Sequence, residues 1–324
     1  PYTSCSRNWD LSKFGGFGTW LTDTAVNALL TAGFDAAVSR ENIAALLSGQ
    51  TAAGNFPCLL TGHDSWIDRS QPPLVSLIIW LIYQQTGDRS LLAECYPALA
   101  ANNAWWWRCR DGNGNGLLEY GSSDAGDGLY VGTKLAAKDE SFMDNSPMHD
   151  EARFDVQTRT LDCEDVGLNS LITLDAEILA KIAAEIGETD AAQRHAAVAK
   201  TQRARVRVHF WDASRGIFAN RLWSGSFVSA VTPTSFYPLL CGAADPKQTS
   251  SMLAHLDDSA MFGGTPGLPS VARSHPAFAD NVYWRGRIWP ILNWLIWLAL
   301  KRIGAEDRAQ QLAADGYALF TRSW

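Results

Sequence analysis

The residues whose types and spacing could do chemistry are concentrated in Glu140 to Asp150, the run ESFMDNSPMHD. Acidic groups crowd this short segment, and Pro147 keeps it from continuing as helix. A carboxylate beside an amide and a hydroxyl, as in Asp144, Asn145 and Ser146, can be held in one orientation with a tuned pKa, which is what a general acid requires. Asp144 is therefore the candidate catalytic residue. The same Asp-Asn-Ser-Pro run is also ordinary turn and helix-cap chemistry, and taken alone that plainer reading is the commoner one.

A second constellation runs from Asp111 to Glu119, DGNGNGLLE. Oxygen-bearing side chains alternate along it, with a glycine where a calcium loop turns sharply, so it resembles the first nine positions of an EF-hand loop. The twelfth position would be Ser122, which cannot supply a bidentate carboxylate and excludes a full EF-hand. An Asn/Gly turn without an ion is the alternative. His63, His149 and His275 stand in loops without metal-ligand spacing and are given no catalytic task. Six cysteines, Cys5, Cys58, Cys95, Cys109, Cys163 and Cys241, are scattered without CxxC spacing and read as core thiols.

The elements that must position these groups come from periodicity. Helical spacing of apolar residues predicts helices over 20–32, 36–47, 74–85, 90–108, 166–186, 190–210, 237–240 and 247–256, then a last apolar helix after Trp284 with a partner over 306–321. Breaks fall at Gly33, Gly87 and Gly187. The intervening 109–162 reads as a long polar loop, and 211–231 as a small hairpin. Helices in pairs of unequal length, each pair entered through a polar and aromatic loop, suit a single α/α toroid better than a solenoid of constant repeats.

Composition bounds the function. The chain has 324 residues of which 47% are hydrophobic, enough for one large domain. It carries 14 Trp, a residue suited to stacking on the apolar faces of sugar rings, although Trp also fills cores. A formal charge of -7 without a Lys/Arg run argues against a nucleic-acid partner. The apolar run Ile288 to Leu300 is interrupted by Pro290 and Asn293 and is too short to span a membrane. A soluble protein, cytoplasmic or periplasmic, is the expectation. The chain begins Pro-Tyr-Thr and stops at Trp324 directly after a helical stretch, which suggests a fragment or a processed chain.

Five segments occur in order: DRSQPP (68–73), MDNSP (143–147), DVGLNSL (165–171), GLPSVAR (267–273) and YWRGRIW (283–289). Together they resemble glycoside hydrolase family 63 over nearly the whole chain. The resemblance implies an (α/α)6-barrel catalytic domain over 1–324 and an α-glucosidase-like enzyme that cleaves a glucoside, mannoside or α-linked oligosaccharide with inversion, without a cofactor. It places the general acid on Asp144. The general base is a Glu after the last helical pair, expected beyond Trp324, with Glu140 and Glu119 as fallbacks. It also assigns sugar binding to Trp20, Asp23, Gln71, Tyr283, Trp284, Gly286 and Trp289. Where many relatives carry Trp before the acidic residue, this chain has Thr22.

Within the resemblance, Arg285 and Arg287 could bind a carboxylate-bearing aglycone such as glycerate or could hold the acidic loop in place. A similar loop in the family implies structural Ca2+ held by Asp111, Asn113, Asn115, the Leu117 carbonyl and Glu119, completed by Glu177. The alternative function is a carbohydrate-binding or scaffold protein on the same toroid.

Overall fold

The computed structural model describes Thr3–Ser4 and residues 17–323. Cys5 lies outside the described residues. After β1 (Thr3–Ser4) and β2 (Phe17–Trp20) come α1 (Leu21–Ala32) and α2 (Ala36–Ser48), then β3 (Leu59–Thr61), which pairs antiparallel with β2. Next are α3 (Val75–Thr86), α4 (Arg89–Cys109), β4 (Glu119–Gly121), α5 (Lys134–Glu140), β5 (Phe154–Asp155) and β6 (Thr160–Glu164). The chain continues through α6 (Val166–Ile186) and α7 (Thr189–His209), then β7 (Trp211–Asp212), β8 (Ile217–Phe218) and β9 (Arg221–Leu222). It closes with α8 (Tyr237–Leu240), α9 (Pro246–Asp257), α10 (Pro290–Arg302) and α11 (Glu306–Ser323). No helix among the described residues is long and apolar enough to cross a membrane.

Helix ends fall where the side chains dictate. Asp35 accepts from the Val38 amide to start α2, and Asp88 accepts from the Leu91 amide to start α4. Gly87 ends α3 in the left-handed region at φ 71, donating to the Tyr83 carbonyl. Within a hairpin the two helices differ in character. α6 buries Leu168, Leu171, Ile172, Leu179 and Ile182, while its polar partner α7 buries little beyond Ala191, Ala199 and Val206. Neighbouring hairpins are also stitched: Arg40 of α2 reaches Asp88 at 2.6 Å and Glu94 of α4 at 2.8 Å.

Contacts group the residues into two compact units. One comprises Pro1–Phe142, Phe154–Leu161 and Leu174–Ala199; the other Met143–Arg153, Asp162–Thr173 and Lys200–Trp324. In the second, α10 packs against α11 and α8, and an apolar groove of about 820 Å³ is lined by Trp294, Trp297, Leu312 and Phe320.

The expected long loop 109–162 is more structured than its polarity suggests. It contains α5, a 3-10 turn at Pro147–His149, and the strands β4, β5 and β6. Charge, not apolar periodicity, holds α5: Glu140 pairs with Arg110 at 2.6 Å and Asp139 with Arg69 at 3.3 Å. The 211–231 segment forms the small hairpin expected, with β7 against β8. A carboxylate sits among the buried polar groups on the helices of the first unit. Asp175 of α6 is buried and accepts from Asn103 of α4 at 2.7 Å, with Ser76 of α3 as a further partner. Burial pushes its carboxyl up to about 6.

Candidate active site

The acid loop lies in the second unit and is anchored behind Asp144. Met143 and Met148 are core residues. Ser146 accepts from the Met148 amide, and Pro147 opens the 3-10 turn. The buried His149 ring bonds Asp165 at 2.9 Å. Asp165 in turn accepts from Leu168 N at the start of α6 and from the Asn220 side chain at 2.7 Å. The loop is fixed from behind, and Asp144 is left half-buried at its front.

Opposite the loop in sequence, the YWRGRIW segment makes a tight turn that reaches back to it. Tyr283 Oη donates to Asp144 Oδ2 at 3.0 Å, and the Trp284 amide donates to Asn145 Oδ1 at 2.8 Å. Tyr283 adopts φ 51, and its carbonyl accepts from Trp289 Nε1 at 2.9 Å. Gly286 has φ 105, and a Cβ there would meet the Phe278 carbonyl oxygen at 2.5 Å, so glycine is required for the turn itself. Trp284 and Trp289 stack with centroids 3.8 Å apart and planes 13° apart. Trp284 is 1% exposed, so the expectation that it meets sugar is corrected: its ring supports Trp289 and Tyr283. Tyr283 is 42% exposed and Trp289 half-buried.

The two arginines part company. Arg285 bonds Asp280 through Nε at 2.6 Å and Asp150 through Nη1 at 2.8 Å, and it also reaches the Asn145 carbonyl. The Asp280 bond, then the one to Asp150, raise its pKa further against a partial desolvation cost. It clamps the acid loop. Arg287 is exposed, and its Nε donates to the Asn281 carbonyl at 3.0 Å. Two residues apart on an extended stretch, Arg287 and Trp289 share a face, and both bond carbonyls of the 281–283 turn.

In the first unit, the other expected sugar-binding residues gather at the start of α1. Trp20 meets Trp66 edge-on at 5.4 Å, and the Arg69 guanidinium lies 4.4 Å over Trp66. The N-cap Trp20 offers no side-chain cap, and remote groups serve instead: the Cys58 carbonyl accepts from Leu21 N, and Gln71 Oε1 accepts from Thr22 N at 2.8 Å. Gln71 therefore fixes the turn that carries Asp23. Asp23 is solvent-accessible, yet the protein around it desolvates its carboxyl and pushes it above the ordinary carboxylate range.

The fallback bases are excluded by their bonds. Glu140 is fully buried; Oε1 accepts from Ser70 N and Arg110 Nη2, and Oε2 from Arg110 Nε and Gly121 N. Glu119 is equally buried and accepts from Gly112 N at 2.7 Å. Neither can hold an attacking water. Sequence reading missed Asp165 and Asn220; an Asp directly before an apolar helical run is the signal that could have found Asp165.

The 111–119 loop closes on its own amides, with Asn113 and Asn115 exposed. Asp111, Asn113 and Asn115 accept from the amides of Gly116, Asn115 and Leu117. Asp111 Oδ1 is buried without a protein partner, an oxygen suited to a hard cation. The ligand set is thin in charge, because Glu177 pairs with Lys181 at 2.9 Å. No group of three or more His, Cys, Asp or Glu suited to a metal occurs among the described residues.

The chain shares its family and fold with known proteins. The family model of the mannosylglycerate hydrolase MGH1-like glycoside hydrolase domain matches residues 16–323. Mannosylglycerate hydrolase MGH1 of Selaginella moellendorffii is 25% identical over 363 residues, covering 93% of this chain and 72% of the plant protein. The mannosylglycerate hydrolase of Thermus thermophilus is 25% identical over 308 residues, covering 78% of this chain and 69% of its own. A solved family 63 mannosylglycerate hydrolase from Thermus thermophilus, in complex with Tris and D-glycerate, matches with a TM-score of 0.78 at 20% identity over 94% of this chain and 86% of that one. That likeness establishes the fold as the all-α, (α/α)6-barrel class expected. A carboxylate turn pinned to an aromatic turn, on this fold and under this family model, makes the chain a member of the MGH1-like glycoside hydrolases of family 63.

Proposed function

We propose that the protein hydrolyses an α-linked hexoside of glycerate, a mannosylglycerate or glucosylglycerate, by inversion, with Asp144 as general acid. The observation that carries the reading is the Asp144 carboxylate, half-buried and held at 3.0 Å by Tyr283 beside the Trp284–Trp289 stack. Asp144 delivers its proton to the glycosidic oxygen as the bond to the anomeric carbon breaks, while water attacks the opposite face with help from a second carboxylate, about 6.5–9.5 Å away in such enzymes. Glu140 and Glu119 are fully buried on protein partners and do not serve as that second carboxylate. The glycerate aglycone is favoured over a neutral oligosaccharide by the likeness to mannosylglycerate hydrolases and by Arg287, an exposed guanidinium two residues from Trp289. Arg285 is committed to Asp150 and Asp280.

No cofactor takes part in this chemistry. A structural Ca2+ is proposed on Asp111, Asn113, Asn115, the Leu117 carbonyl and Glu119, where it would fold the loop and satisfy Asp111 Oδ1. Glu177 would complete the set only by leaving Lys181.

The test is Asp144→Asn assayed on both glycerate glycosides. Hydrolysis should fall on the order of 10²–10⁴-fold with an unchanged far-UV circular dichroism spectrum. Proton NMR of the first-formed sugar should show the β anomer. A folded variant with full activity, or a first product of α configuration, defeats the proposal.

A further inference from the structure

We propose that the Tyr283 phenol is a positioning residue that fixes the orientation in which Asp144 donates its proton; this rests on Asp144 being the general acid. Tyr283 Oη donates to Asp144 Oδ2 across 139 residues of sequence. In the protonated acid the oxygen that accepts from the phenol is not the one that carries the proton, so the proton rides on Oδ1. A carboxylic acid free to rotate would present either oxygen to the leaving group. Bound to Tyr283, it presents one.

The turn that delivers the phenol is held at some cost. Tyr283 sits at φ 51, a left-handed conformation that disfavours a non-glycine residue. Burial does not explain a tyrosine there, since the ring is 42% exposed. What holds the conformation is a set of bonds around it. Trp289 Nε1 donates to the Tyr283 carbonyl, Val282 and Arg285 exchange backbone bonds, and Gly286 takes φ 105. Asn145, next to the acid, accepts from the Trp284 amide, next to the phenol, so the two partners are tied twice. Strain that other contacts over-determine, and that points a hydroxyl at a reacting carboxylate, is the mark of a functional constraint.

Leaving-group chemistry separates positioning from binding. A glycosyl fluoride departs without needing a proton, so it bypasses the general acid but still occupies the sugar site. Tyr283→Phe and Asp144→Asn would be measured on mannosylglycerate and on α-mannosyl fluoride, with circular dichroism to confirm folding. On mannosylglycerate the Tyr283→Phe variant should lose roughly 10–100-fold in kcat with KM within about threefold of the parent. On the fluoride it should lose less than about threefold. Equal losses on both substrates, a rise in KM alone, or no loss on mannosylglycerate overturns the positioning role. Asp144→Asn distinguishes the two levels of the argument: it should collapse on mannosylglycerate and persist on the fluoride, and full activity on mannosylglycerate would remove the acid itself.

Discussion

At the scale of single residues, Arg287 offers a sharp test of the aglycone. Its Nε is fixed to the Asn281 carbonyl, which leaves the planar Nη edge to pair with a carboxylate. Arg287→Gln should raise KM for mannosylglycerate by about tenfold, a value typical of losing one charge-assisted contact, and leave α-mannosyl fluoride turnover unchanged. Equal KM values for parent and variant would remove Arg287 from the site. The Asp144 loop stood out in the sequence because a carboxylate beside Asn, Ser and Pro gains weight once an ordered set of motifs surrounds it, and its role as acid is what Asp144→Asn decides. The burial of Trp284 was not legible, because an aromatic residue at a turn has the same local pattern whether its ring faces ligand or, as here, is 1% exposed. Gln71 capping Thr22 was equally hidden, since the bond joins residues 49 apart and neither type signals it.

At the scale of elements, Asp175 carries a pH-dependent cost between α3, α4 and α6. Its folded pKa of about 6 lies above that of an ordinary aspartate, about 3.8, so the folded state binds the proton more tightly than the unfolded chain does. The cost is absent below about pH 3.8, grows as pH rises to about 6, and is full above that. An asparagine keeps the acceptor for Asn103 and adds a donor for Ser76. Asp175→Asn should therefore raise the calorimetric Tm at pH 8, by up to about 3 kcal/mol of stability, with the gain vanishing towards pH 4. A gain that persists at pH 4, or a variant less stable at pH 8, would show that the ionised form is not penalised. Most helices were legible because their apolar stripes are long; α1, α6 and α9 begin and end within a residue or so of their expected bounds. α5 was not, because a seven-residue helix held by Arg110 and Arg69 leaves no apolar period to read.

For the whole molecule, calcium supplies a test that needs no substrate. If the 111–119 loop holds the ion, thermal unfolding after chelation and then with added Ca2+ should differ by about 2–4 °C per kcal/mol of binding free energy, and Mg2+ should substitute poorly because it demands a stricter geometry. Superimposable melting curves would leave the Asn/Gly turn reading in place. The enzyme class was legible at this scale because five motifs in order constrain one another, which no single helix or loop does. The tryptophan surplus was a weaker guide: Trp66, Trp105 and Trp106 are core residues, and Trp106 is fully buried.

The tight turns between paired helices have a practical consequence. Gly87, Gly187 and Gly304 turn at φ 71, 93 and 72, and a Cβ placed on any of them would meet nothing within 4 Å. Gly126 and Gly286, in the long loops, would drive a Cβ into backbone oxygens at 2.4 and 2.5 Å. The short turns are therefore where the polypeptide tolerates rewiring. A reporter domain spliced in at Gly87, Gly187 or Gly304 is the engineered form this fold should accept, whereas grafts into the long loops would displace the backbone they press against.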